Sequence, residues 1–322
     1  MDCHTVAEMY GLKGKKFQRQ YKKKISNFNS WDKKPHAEQW LIFPENISAS
    51  LSIDEVALSG GELYTIVTSK KAKGKKGSLV AVISGTASDT VIRHLRKIDI
   101  DLRFKVKEIT LDMAGSMKLI AKKSFPKATQ VIDRFHVQQL AGDALQEIRI
   151  RHRWEAIDQE NDRMSEAKIK EQSYIPETYS NGDTPKQLLA RSRYLLYKSP
   201  HRWTERQQHR ADILFRHYPD IAKAYQLTNN LRSVYNLKMN KPLAMTKLAH
   251  WFKDVEKAGF KSFNTLLKTF TLHYNDIINY FNHRSTNASA ESFNAKIKKF
   301  RTQFRGVRDR TFFLFRLTNI FA

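Results

Sequence analysis

Three carboxylates carry the chemistry most legible in this 322-residue chain. Asp54 lies inside the β-rich run SLSIDEVAL (50–58), Asp112 closes FKVKEITLD (104–112), and Glu291 is the single acid of STNASAESFNAKIKKFRTQFRG (285–306). Two Asp on rigid strands and one Glu on a helix form a donor set suited to hard divalent cations. Mg²⁺ takes oxygen ligands and binds one or two protein carboxylates per ion. A pair of such ions about 3.5–4 Å apart can activate a water or a 3′-hydroxyl on one side of a phosphodiester and stabilise the leaving oxygen on the other. The setting of Glu291 suits a polyanionic substrate, since Lys296, Lys298, Lys299, Arg301 and Arg305 surround it. Taken singly, an Asp at the end of a strand run is a terminator or a helix cap. Asp54 is harder to read that way, because Ile53, Val56, Ala57 and Leu58 flank it and burying an unpaired carboxylate is costly.

The elements that must hold these groups follow from periodicity. Residues 50–58, 62–69 and 78–84 read as three strands joined by hairpin signals at Gly60-Gly61 and at the basic turn KKAKGKKG (70–77). A helix over 86–98, a strand over 104–112, a helix over 113–126 ending at Pro126, and a strand over 128–133 come next. The order β-β-β-α-β-α-β combines an antiparallel meander with crossovers that make parallel neighbours. Its first and fourth strands would then lie side by side, bringing Asp54 and Asp112 to one sheet edge. From Arg134 onward the pattern is helical: a long helix, then stretches at 185–197, 204–217, 219–238, 245–258 and 262–282, with Trp203 and Trp251 as core anchors. The last segment, 286–321, reads as one or two helices broken at Gly306. Ahead of the strands, residues 31–49 read as a linker, and residues 4–24 fit either a partial helix-turn-helix around Gly11 or one amphipathic helix with a basic tail.

Charge bounds the partner. Lys and Arg number 57 against 32 Asp and Glu, a net +25 that favours nucleic acid, although ribosomal and membrane-surface proteins share such a balance. No window approaches the roughly 18 consecutive apolar residues of a spanning helix. The N-terminus lacks the apolar core of a signal peptide. The single cysteine, Cys3, excludes an intrachain disulfide and points to a reducing cytoplasm.

Four blocks, in order, carry a family resemblance: SIDEVAL around Asp54, ITLDMAGSM around Asp112, VIDRFHV at 131–137, and TNASAESFNAKIKKFRTQFRGVR around Glu291. Over residues about 46 to 322 the chain resembles DDE transposases of bacterial insertion sequences, in the group whose core is interrupted before the last acid. The separations of 58 residues between the two Asp and 179 from Asp112 to Glu291 fit that group. The resemblance implies an α/β fold with an RNase H-like (retroviral-integrase-type) mixed sheet core, a large all-helical insertion and a short helical N-terminus. It divides the chain into a DNA-binding segment and linker (1–45), the first part of the core (46–136), the insertion (137–284) and the C-terminal catalytic helix (285–322). It implies Asp54, Asp112 and Glu291 as the catalytic triad and ligands of two Mg²⁺ (or Mn²⁺) ions. Asp133, His136, Asn287 and Asn294 would lie around them, and Lys298, Arg301, Arg305 and Arg308 would contact DNA. Asp133 reads equally as a cap of the long helix, and a lone His136 beside Phe135 and Val137 as a packed residue.

The activity so implied is metal-dependent cleavage and strand transfer at insertion-sequence ends, by a cytoplasmic, nucleoid-associated protein working as a dimer on DNA. A nuclease of the same fold and a non-catalytic DNA-binding derivative are the alternatives. Such transposases commonly begin with a cysteine-rich zinc-binding module and a helix-turn-helix, whereas Cys3 is the only cysteine here, so either that region is encoded separately or this branch uses a smaller module. On the first alternative, a separately encoded N-terminal DNA-binding protein would be a partner.

Overall fold

The runs with strand periodicity assemble into one six-stranded sheet. The computed structural model describes residues 3–57, 62–286, 288–303 and 309–322. Asn287, Arg305 and Arg308, with the breaks at Gly60-Gly61 and Gly306, lie outside the described residues.

The chain opens with α1 (Cys3–Met9) and α2 (Gly14–Gln20), two helices rather than one, separated at Gly11, whose φ of 65° suits a residue without Cβ. Then come β1 (Trp40–Ile42), β2 (Ser50–Ala57), β3 (Leu63–Ser69), β4 (Leu79–Ser84), α3 (Ser88–Leu95), α4 (Ile100–Phe104), β5 (Glu108–Leu111), α5 (Gly115–Ser124) and β6 (Thr129–Ile132). Two of these depart from expectation. β1 arises inside the presumed linker, where three residues between Pro35 and Pro44 carry no period of their own and become a strand by pairing with β4. α4 occupies residues around Phe104 expected to open a strand; Asp99 accepts from the Asp101 N–H at its start, and the strand begins only at Glu108.

The sheet order is β1-β4-β3-β2-β5-β6, with β2 antiparallel to β3 and parallel to β5, and β5 parallel to β6. Alternation along the strands separates two cores. On one face Leu51, Ile53, Ile109 and Leu111 pack against Val91 and Leu95 of α3 and Met117 and Ile120 of α5. On the other face Val56, Tyr64, Ile66 and Val82 pack against two later helices, described below. This mixed sheet is the α/β RNase H-like core.

Residues 134–282 form a second compact unit, described by itself. It comprises α6 (Arg134–Ile169), α7 (Pro185–Arg191), α8 (Glu205–His217), α9 (Pro219–Asn236), α10 (Lys241–Ala258), α11 (Lys261–Leu272), α12 (Tyr274–Ile278) and α13 (Tyr280–His283), the last ending at the unit boundary. Pro185, Pro219 and Pro242 each stand in a first helical turn, where a missing N–H costs nothing. Trp251 is buried and donates to the Leu227 carbonyl, and Trp203 donates to the Leu195 carbonyl while stacking on Tyr225. Both indoles are structural anchors.

Asp183, 1% exposed, joins two segments of this unit by accepting from Arg191 and Arg210. Burial pushes its carboxyl up, but the hydrogen bonds from Arg210 and Arg191 outweigh that and hold it below the ordinary 3.8. A lowered pKa in the folded state contributes stability that is present above the unfolded value and lost as pH falls through the folded one. Acid titration followed by circular dichroism is therefore expected to show Asp183→Asn losing part of the stability difference between pH 6 and pH 3 that the parent shows.

The chain then returns to the sheet with α14 (Ala288–Gln303) and α15 (Arg310–Phe321). Phe293 and Ile297 of α14 and Phe313, Leu314, Leu317 and Phe321 of α15 close the second core. Phe28, from the N-terminal segment, packs on Phe312 and Phe315 of α15. The first compact unit is thus residues 1–133 with 283–322.

Candidate active site

Strand register brings the two Asp together. Ser50, Leu51 and Ser52 pair with Glu108, Ile109 and Thr110, a constant offset of 58 residues, which is also the separation of Asp54 and Asp112. Continued up the two strands, this offset sets Asp54 and Asp112 at one level. Partners in a parallel pair project to the same face, so both acids lie on the α14 side with Ser52 and Thr110. β6 extends the row. Leu111 pairs with Ile132, and the Asp133 N–H donates to the Leu111 carbonyl at 3.3 Å, which sets Asp133 beside Asp112.

Each carboxylate is held locally. Asp54 Oδ1 accepts from the Glu55 N–H at 2.8 Å, and its Oδ2 accepts from Asn294 Nδ2 on α14. Asp112 Oδ1 accepts from the Ala114 N–H at 2.9 Å, an Asx turn that ends β5 and starts α5. Asp133 is 2% exposed, and its Oδ1 has no hydrogen-bond partner.

α14 supplies the remaining residues. Glu291 sits in its first turn, exposed, one turn before Asn294. A carboxylate there is favoured by the helix dipole. Lys296 Nζ donates to the Gly74 carbonyl in the basic turn at 2.7 Å, and Arg301 donates to the Ala57 carbonyl at the end of β2 at 3.0 Å. Arg301 therefore ties helix to sheet, beyond the DNA contact expected of it. Lys298 is exposed. His136 lies partly buried near the start of α6 with its ring edge-on to Phe135 at 5.8 Å, as a packed histidine would.

The row has company that sequence reading passed over. Burial first, then the charges of Asp112 and Asp54, push the Glu55 carboxyl above its usual range. The adjacent acids Asp54-Glu55 were the available signal. Lys70, the first residue of the basic turn, points inward. Its ammonium donates to Thr110 Oγ1, one strand repeat below Asp112, and lies 3.6 Å from Glu108 Oε1.

Among the described residues no three His, Cys, Asp or Glu side chains close on a common metal-sized point. Asp54, Asp112 and Asp133 stand in a row across three strands, and Glu291 lies on α14. The donors nevertheless fit a hard dication: they are carboxylate oxygens, and Asp133 Oδ1 is a buried acceptor without a donor. No helix is long and apolar enough to cross a membrane among the described residues.

Over residues 51–317 the chain matches a family model described as a transposase, of the ISL3 type of DDE enzymes. Comparisons with curated proteins and with solved structures gave no match.

Proposed function

The chain belongs to the ISL3-type family of DDE transposases, and from that premise we propose that it cuts DNA at the ends of an insertion sequence and joins the freed 3′ end to target DNA. Asp54 and Asp112 would hold Mg²⁺ or Mn²⁺, and Glu291 would complete the ligand set from α14. When bound, two such ions supply activation of the attacking oxygen and stabilisation of the leaving one. The protein's own part is to fix the donors and bring the phosphate to them. Asn294 holds one Asp54 oxygen and so fixes the carboxylate in place. The Ala114 N–H does the same for Asp112. The exposed face of α14, with Lys298 and Lys299, would meet the phosphate backbone, and Arg305 and Arg308 follow it in the sequence. Both transposon ends must reach one target, so at least a dimer would assemble on DNA, at the nucleoid. A separately encoded DNA-binding protein would share in recognising those ends.

The observation that carries this reading is the Asn294–Asp54 hydrogen bond, which draws the helix bearing Glu291 onto the strand bearing Asp54. Incubation with the ends of the element, Mg²⁺ or Mn²⁺ and target DNA tests it. Cleaved ends and joined products are expected from the parent, and neither from Glu291→Gln. Cleaved ends without joined products would mark a nuclease of the same fold. Products unchanged by Glu291→Gln would remove Glu291 from the reaction.

Asn294→Leu keeps the volume of the side chain and removes the donor to Asp54. Loss of a group that orients a metal ligand typically costs about 10–100-fold in metal affinity or activity. We expect cleavage to fall by that factor with DNA binding intact, as read by gel shift on the same substrate.

A further inference from the structure

Asp133 is more deeply buried than either Asp of the proposed triad, and a cap role does not account for it. A capping carboxylate engages an N–H of the helix's first turn. Here Oδ1 has no donor, although α6 begins at the next residue. An ionised carboxylate buried with an unpartnered oxygen is expensive. Its placement is nonetheless rigid, because the Asp133 N–H continues the β5–β6 ladder through the Leu111 carbonyl. The pairing of Thr110 with Val131 puts Asp112 and Asp133 on one face of adjacent strands. A cation is already close to this row from below. Lys70 is bonded to Thr110 and paired with Glu108; burial pushes its ammonium pKa down, while the charges of Glu108 and Asp133 pull it up. That lysine, so engaged, gives no hydrogen bond to Asp133 Oδ1.

Resting on the metal-dependent reading above, we propose that Asp133 is a further metal-ligating carboxylate, contributing the oxygen that no protein group satisfies to the cation held by Asp112. The site would then draw on three adjacent parallel strands, with Glu291 from the helix in addition. Asp133 also ends the core unit in the chain, so the residue that begins the helical unit is one peptide bond from a ligand.

Binding of Mn²⁺ to the full chain, followed by electron paramagnetic resonance without DNA, tests this separately from catalysis. Asp54→Asn and Asp133→Asn are each expected to weaken Mn²⁺ binding about tenfold or more. A second measurement uses the unaltered protein: Fe²⁺ with ascorbate and peroxide cuts backbone next to bound iron, and cuts are expected near residues 54, 112 and 133. If Asp133→Asn binds Mn²⁺ as the parent does while Asp54→Asn does not, or if iron cuts near 54 and 112 but not near 133, Asp133 is not a ligand and the triad stands. If Asp133→Asn fails to fold, the iron pattern decides alone. If the parent binds no Mn²⁺ and iron cuts at none of the three places, the metal-dependent reading falls and this proposal with it.

Discussion

Asp112→Asn is expected to abolish DNA cleavage, lowering the rate by roughly a thousandfold or more. Under the proposed mechanism the change leaves the Asx turn largely in place, since the amide oxygen of Asn still accepts from the Ala114 N–H that Asp112 now engages. What it removes is one negative charge from the row. Charge stabilisation by a bound cation contributes several kcal/mol to a phosphoryl transition state, and about 1.4 kcal/mol corresponds to each tenfold in rate. Losing about 4 kcal/mol of it gives the stated factor. Single-turnover cleavage of a labelled end, with thermal unfolding as a control on folding, measures the effect. Asp54→Asn should behave alike, although its amide would also confront the Nδ2 donor of Asn294. A variant that folds normally and retains a tenth of the parent rate would show that Asp112 does not hold the catalytic cation.

The second large effect concerns stability. Lys70→Met is expected to destabilise the core unit by about 3–5 kcal/mol, the usual cost of removing one partner of a buried ion pair. The Lys70 and Glu108 side chains are only 14% and 9% exposed, so water cannot replace the lost cation. Met fills nearly the same space as the lysine stem, which isolates the charge from the packing. Urea unfolding should show the midpoint of the core transition falling, and the double variant Lys70→Met, Glu108→Gln should recover most of the loss. If the double variant is as unstable as the single one, the stem of Lys70 and not its charge is what the core requires.

The site illustrates which features a linear pattern can carry. The strands bearing Asp54 and preceding Asp112 were legible because β-branched and aliphatic residues dominate SLSIDEVA and EITL, and buried strands need such side chains. The crossover connections after the meander implied parallel neighbours. β1 was not legible, since three residues cannot display a period. The inward turn of Lys70 was not legible for a related reason: KKAKGKKG is basic throughout, and nothing local singles out the lysine that pairs with Glu108. Thr110 and Glu108 make that choice from 40 and 38 residues away in the chain.

The sequence by itself determined the mixed sheet, the helical character of the stretch that interrupts it, and the transposase family, because periodicity, turn residues and ordered motifs are all written locally. Only the tertiary structure decided that Asp133 stands beside Asp112, that Asn294 reaches Asp54, and that Arg301 binds the end of β2. Each of these depends on strand register or on how a distant helix docks. A slip of one residue in register sends every side chain of a strand to the opposite face, and that register is settled by the packing of both cores together.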